Sequence, residues 1–277
     1  MWSRRAFLLV ASGGIATALS SRRSRSEATT TFQHPPRKGL QAGDFLWTSR
    51  RDAFIPYGSG DTMAEQQARS WATTRDELTR QLLASPHAAE RQGAVALRAM
   101  SLEDFRTIYF EGRRPTDPVP YSGSPSVGHV AIVDVQNGTL MIIEARPTSQ
   151  SSIDVAFSSF KNGVVARPYD EWLKDHDDHL IWQGRLRKYA DPSDRARVAT
   201  KAREYVGRDY NFRNFDLTDT SGFYCSKLVW LATFQSLGIP LDGDSSTRRS
   251  LWVSPKQLIN RNQEIRMINV PGVYGGD

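Results

Sequence analysis

Residues 127–145 read Val127-Gly128-His129-Val130-Ala131-Ile132-Val133-Asp134-Val135-Gln136-Asn137-Gly138-Thr139-Leu140-Met141-Ile142-Ile143-Glu144-Ala145. Two apolar runs, 127–135 and 139–145, flank Asn137-Gly138. That dipeptide is the strongest short-range hairpin signal, because both residues tolerate the positive φ of a type I′ turn. A two-residue loop pairs Gln136 with Thr139, hence Ala131 with Glu144 and His129 with Arg146. Directly opposed residues share a face, so Glu144 sits one diagonal step from His129, roughly 7–8 Å away at the backbone. A four-residue loop keeps this parity, and an odd loop reverses it. Each is a lone ionisable group in an otherwise apolar strand, and a buried polar group without a partner costs about 1–3 kcal/mol. His129 is either a satisfied core histidine or a working imidazole. Glu144 either pairs with a base such as Arg146 or orients His129.

Outward from the hairpin, residues 43–47 read as a short strand opened by a turn, and 62–110 as helical. In that block Trp71, Leu78, Leu82 and Leu83 recur at helical spacing, Pro86 interrupts, and 94–100 resumes. Ser101 with Asp104 forms a capping pair for a last helix holding Phe105 and Ile108. Further strands are expected at 153–157, 164–166, 180–186 and 265–270, and helices at 168–174, 192–205 (capped by Asp191), 225–237 (ended by Gly238) and after Ser254-Pro255. Residues 207–222 read as a loop rich in Asp, Asn and Thr. Strands interleaved with segregated helices indicate an α+β fold, with 62–110 as a helical insertion.

The chain has one cysteine, Cys225, where the loop becomes a helix. At a helix start the unpaired N–H groups and the dipole favour a thiolate and can donate to an oxyanion. Cys225, Val229 and Ala232 share a stripe, so the thiol faces inward. A core cysteine uses the same stripe, and burial is the commoner fate of a free thiol. A helix-start thiol, a strand imidazole and an orienting carboxylate together make the nucleophile–base–orienter set of covalent catalysis.

Other polar groups carry less. His176 and His179, in Asp175-His176-Asp177-Asp178-His179, lack further matching ligands and read as a solvated helix end, not a metal site. His34 and His87 sit in polar or Pro-flanked surroundings. The Tyr57-Gly58-Ser59-Gly60-Asp61 loop, in which Asp61 can cap a helix, lacks the Lys and Ser/Thr of a phosphate-binding loop. No cofactor or metal is expected.

Gly43-Asp44, Gly128-His129-Val130-Ala131-Ile132-Val133, Glu144-Ala145 and Tyr224-Cys225-Ser226-Lys227-Leu228-Val229, in this order, resemble the YiiX/YebB-like cysteine hydrolases. These form the permuted branch of the NlpC-type papain-like superfamily, related to lecithin:retinol acyltransferase-like proteins, in which the histidine precedes the cysteine. Gly207-Arg208-Asp209-Tyr210-Asn211-Phe212 and Val253-Ser254-Pro255-Lys256-Gln257-Leu258 are similar to family segments. The resemblance covers about 39–270, with 62–110 poorly matched. It implies Cys225 as nucleophile, His129 as base, Glu144 as orienting residue and Tyr224 as an aid to oxyanion binding. Family members often carry Glu where this chain has Lys227, which reads as peripheral. The implied fold is permuted papain-like, an antiparallel sheet packed on the cysteine helix.

The whole chain of 277 residues, 39% hydrophobic and 24% charged, suits a folded protein of one domain or at most two. Its net charge of +6 is concentrated at the N-terminus. Arg4, Arg5, Arg22, Arg23 and Arg25 face Glu27 alone in residues 1–28, and the remainder carries +2. That gives no electrostatic case for nucleic acid. Met1 to Arg5 precede an apolar run, 6–19, too short to span a bilayer, and Ser3-Arg4-Arg5-Ala6-Phe7-Leu8 matches a twin-arginine signal read by the export machinery. Cleavage after Ala18 or Ala28 fits, with 29–39 as linker and 40–277 as the hydrolase domain. An uncleaved anchor and an organellar transit peptide are the alternatives, and the absence of a nearby cysteine excludes lipoprotein anchoring. The expected product is a periplasmic or extracellular protein, for which the family resemblance implies a hydrolase acting on peptide or cell-wall amides, or on N-acyl or lipid substrates. Transfer of the acyl group to another acceptor and a non-catalytic exported binding domain are the rival readings.

Overall fold

The computed structural model describes residues 34–49, 64–86, 88–104, 127–147, 159–249, 252–260 and 264–271. The expected signal at 1–28, the linker's first residues (29–33), the loop at 57–61, His87, the helix through Phe105 and Ile108, and the strand at 153–157 lie outside these residues. In chain order the elements are β1 (Phe45–Ser49), α1 (Ala64–Leu83), α2 (Ala88–Arg98), β2 (His129–Gln136), β3 (Thr139–Ala145), β4 (Ser159–Phe160), β5 (Val164–Pro168), α3 (Tyr169–Lys174), β6 (Leu180–Leu186), α4 (Pro192–Arg203), β7 (Asp209–Asn211), β8 (Gly222–Phe223), α5 (Cys225–Leu237), α6 (Pro255–Asn260) and β9 (Ile265–Asn269).

Six strands form an antiparallel sheet in the order β5-β3-β2-β1-β6-β9. Its hairpin has the register set by a two-residue turn: Gln136 opposes Thr139 and Ile132 opposes Ile143. Asn137 (φ 49°) and Gly138 (φ 76°) both take the positive φ that a type I′ turn demands. The sheet is covered on both faces. Phe45, Trp47, Val130, Ile132, Ile143 and Ala145 join the main core with α4 and α5, whereas Leu46, Ala131, Val133 and Ile142 form a second cluster with Tyr169 and Trp172 of α3. Leu78 and Leu82 of α1 and Ala94 and Leu97 of α2 belong to the main cluster. Ser101 and Asp104 make the reciprocal cap: Asp104 N–H donates to Ser101 Oγ (3.0 Å) and Ser101 N–H to Asp104 Oδ2 (2.9 Å).

Helix ends follow their local chemistry. Asp191 accepts from Ser193 N–H to cap α4, and Gly238 (φ 74°) closes α5 in the left-handed region. One segment departs from its expected loop. Residues 209–211 and 222–223 are short strands, and with β4 they form a second, three-stranded sheet in which β7 and β8 run parallel. Strands of two or three residues carry too few alternations to register as a period, and their pairing is non-local.

Asp44 stitches β1 to β6. Its carboxylate is fully buried and accepts Arg185 Nε on Oδ1 (2.6 Å), and Gln183 Nε2 (2.6 Å), Arg185 Nη2 (2.8 Å) and Gln41 N–H (2.9 Å) on Oδ2. Gly43 beside it has φ 84°, and a Cβ there would lie 2.1 Å from the Arg195 carbonyl oxygen, so no other residue fits. Removing one partner of a buried ion pair strands the other charge. Asp44→Ala is therefore expected to lower unfolding free energy by about 3–5 kcal/mol in urea titration.

Candidate active site

Cys225 is the first residue of α5. Tyr224 precedes it as N-cap with extended backbone (φ −110°, ψ 165°) and contributes no side-chain cap. The Leu228 N–H, bonded to the Tyr224 carbonyl (3.0 Å), begins the helical ladder. The N–H groups of the first turn are therefore not taken by a capping side chain, and no acidic residue stands in that turn to oppose negative charge at the thiol.

His129 is the first residue of β2, and its ring bridges two partners. Nε2 shares a hydrogen bond of 2.8 Å with Glu144 Oε2, and the Cys225 thiol is the ring's other close electrostatic partner. With Nε2 committed to Glu144, Nδ1 is the nitrogen left for sulfur. The alternation of β2 assigns His129 to the face of Ala131 and Val133, whereas the main core with α5 lies on the opposite face. Its place at the end of the strand is what lets the ring reach the helix start. Thiol, imidazole and carboxylate are thus in one buried chain of contacts.

Glu144 is 1% exposed and receives donors on both oxygens. Besides His129, Trp172 Nε1 of α3 donates to Oε2 (3.0 Å), and Arg167 Nε of β5 donates to Oε1 (3.1 Å). Arg146 Nη1 lies 3.8 Å from Oε1 and is held 3.0 Å from Asp175 Oδ2, which also takes Arg167 Nη1 at 2.5 Å. Glu144 therefore both hydrogen-bonds His129 and lies within ion-pair distance of Arg146.

Charge follows from these contacts. Burial pushes the Glu144 carboxyl up, but the hydrogen bond and charge of His129, with the charge of Arg167, hold it far below the usual carboxylate range. Burial likewise disfavours the His129 imidazolium. The interactions with Cys225 and Glu144, and their negative charges, outweigh it and raise the imidazole to about 9.

Tyr224 is fully buried; its hydroxyl accepts from Val253 N–H (3.1 Å) and its ring meets Phe212 edge-on at 5.9 Å. Two residues depart from expectation. His176 is not at a solvated helix end: it stacks on Trp172 (4.2 Å between centroids) and lies parallel to His129 at 6.2 Å. Its Nδ1 donates to the Trp172 carbonyl (2.8 Å), and burial pushes it down to about 4, leaving it neutral. The reason is the tight turn after α3, which folds residue 176 back over Trp172. Lys227, expected to be peripheral, is fully buried, with its ammonium on main-chain carbonyls.

Sequence reading missed Arg167, Trp172 and Asp175. A signal for Arg167 existed: Ile142 opposes it, which puts it on the face of Glu144. Nothing local marks Trp172 as a donor. Among the described residues, no group of three or more His, Cys, Asp or Glu side chains is placed to hold a metal ion.

Two outcomes follow from this geometry. Trp172→Phe keeps a ring but removes the N–H on Glu144, and is expected to lower kcat/KM about tenfold, the worth of one hydrogen bond to a charged group. The His129 imidazole is expected to titrate near 9 by NMR, and at lower pH in Glu144→Gln. Because this pKa is raised on folding, the stability it contributes is full below the unfolded value of 6.5 and is lost as pH rises through about 9.

The profile of the permuted papain-like amidase enzymes, YaeF/YiiX, C92 family, matches residues 108–268, more than half of the chain. Among solved structures, the crystal structure of metalloprotein yiiX from Escherichia coli O157:H7, DUF1105, is 11% identical. That match covers 86% of this chain and 99% of that one, at a TM-score of 0.45. No curated protein matches. The matched span takes in His129, Glu144 and Cys225, with the histidine ahead of the cysteine. The α+β chain with its antiparallel sheet on the cysteine helix belongs to the permuted papain-like amidases of the YaeF/YiiX, C92 family, a family of papain-like cysteine hydrolases.

Proposed function

We propose that the protein is an exported cysteine amidase in which Cys225 is the nucleophile, His129 the general base and acid, and Glu144 the residue that orients His129. The observation that carries this reading is the buried imidazole, bonded to an ionised carboxylate and set beside the helix-start thiol whose charge acts on it. The Cys225 sulfur attacks the amide carbonyl, forming a C–S bond and an oxyanion. N–H groups at the start of α5 face that oxyanion, with Tyr224 holding the turn. The imidazolium gives its proton to the leaving amine as the C–N bond breaks, and the acyl group remains on sulfur. His129 then takes a proton from water, whose oxygen attacks the thioester. The carboxylic acid leaves and the thiolate–imidazolium pair is restored.

The substrate class we favour is cell-wall peptide amides, in keeping with export. The twin-arginine match at 3–8 supports export to the periplasm or outside, with the export machinery as partner. The test compares mature protein with Cys225→Ala on cell-wall muropeptides and on N-acyl or ester lipids, with and without added amine or alcohol acceptors. Muropeptide cleavage lost in Cys225→Ala is the expected result. Activity confined to the lipid panel reassigns the substrate, and acceptor-dependent products make the protein an acyltransferase. Equal turnover by both proteins removes Cys225 from the chemistry, and turnover by neither leaves a binding domain.

A further inference from the structure

Lys227 stands on the first turn of the cysteine helix, two positions past the nucleophile. At 3.6 residues per turn that places it on the other side of the helix from Cys225. Its side chain runs into the loop that delivers the nucleophile. The residue is fully buried, and Nζ donates to the carbonyl oxygens of Asp219 (2.6 Å), Asp216 (2.7 Å) and Asn214 (3.5 Å). Nζ also lies 5.5 Å from the centroid of the Phe223 ring.

The loop is built to turn those carbonyls inward. Asp216 Oδ1 accepts from Thr218 N–H (2.9 Å) and Oγ1 (2.7 Å), and Asp219 Oδ1 accepts from Ser221 N–H (2.8 Å). Asn214 Nδ2 donates to the Asp219 and Gly222 carbonyls (3.3 and 3.0 Å). The bonds to Lys227 close residues 214–227 into a ring of chain, and Cys225 is a member of that ring. From the opposite side Val253 holds its neighbours: its N–H donates to the Tyr224 hydroxyl (3.1 Å) and its carbonyl accepts Ser226 Oγ (2.5 Å).

We propose that Lys227 is a positioning residue, whose charged ammonium closes this ring and so fixes the direction in which Cys225 meets His129. The proposal rests on the amidase reading above. A buried ammonium is a poor device for stability, since an apolar side chain of similar volume is often as stabilising. What the charge supplies is geometry: three donors for three convergent carbonyls.

The surroundings set when that charge is present. Burial pushes the Lys227 ammonium down to about 7, with the carboxylates of Asp219 and Asp216 opposing. Arg248 lies 3.8 Å from Asp216, and Arg249 is engaged with Asp242 and Asp244. A neutral amine keeps two N–H donors and turns a lone pair toward the third carbonyl. The sign separates positioning from stabilisation. The folded pKa lies below the unfolded 10.5, so the stability Lys227 contributes falls as pH drops toward about 7, while the clamp gains its charge.

The test measures kcat, KM and thermal midpoint of the full chain through the neutral range, on the muropeptide or N-acyl lipid whose cleavage requires Cys225. Wild-type kcat is expected to decline as pH rises through about 7. Lys227→Met is expected to lose about tenfold in kcat with little change in KM, and to show no such decline. Lys227→Arg, whose charge does not titrate, is expected to keep most of the wild-type kcat without the decline. Asp216→Asn, which keeps its Oδ1 acceptor, is expected to move the decline to lower pH. Wild-type kcat in Lys227→Met at every pH overturns the proposal. If that variant does not fold, a wild-type decline that neither Lys227→Arg nor Asp216→Asn alters overturns it equally. Turnover that survives in Cys225→Ala counts against the amidase reading instead.

Discussion

A carboxylate buried to 1% exposure stays ionised only if donors surround it, and Glu144 is the point on which the rest of the arrangement depends. Desolvation alone would neutralise it. Three elements meet at its two oxygens to prevent that: His129 from β2, Trp172 from α3 and Arg167 from β5. Asp175 in turn braces Arg167 and Arg146 at the surface. An ionised Glu144 then keeps the His129 imidazolium stable beside the Cys225 thiol. The short helix α3 is therefore as necessary to this arrangement as the helix that bears Cys225.

The two-faced sheet makes this possible. One face packs on α5 and brings Cys225 to the end of β2; the other packs on α3 and brings Trp172 to Glu144. His129, at the first position of β2, is where the two sides communicate. Asp44 and Arg185 lock β1 to β6 in the middle of the same sheet. Buried charge recurs at Asp44, Glu144 and Lys227, and in each case the partners come from distant or folded-back chain. Such groups hold geometry at some expense of stability, the usual balance at functional sites.

What was legible in the sequence was local or followed from parity. Asn137-Gly138 fixed the turn, the turn fixed the register, and the register put Glu144 and His129 on one face. Asp191, Gly238 and Ser101–Asp104 marked helix ends by chemistry confined to a few residues. What was not legible came from contacts that no period encodes. Lys227 looked like a surface cation because nothing in Tyr224-Cys225-Ser226-Lys227 reveals that the loop at 214–219 folds back over it. His176 looked solvated because its aspartate neighbours are, yet the turn after α3 lays its ring on Trp172. The parallel pairing of β7 with β8 joins strands too short to show alternation.

The thiolate–imidazolium pair proposed for the Cys225 sulfur and the His129 ring, held by Glu144, is open to direct measurement. Ultraviolet difference absorbance reads the thiolate directly, with Cys225→Ser as the blank. The account predicts full thiolate absorbance near neutral pH in the wild type, and its loss there in His129→Ala. Absorbance that appears only in the alkaline range of a free cysteine, with or without His129, would contradict it.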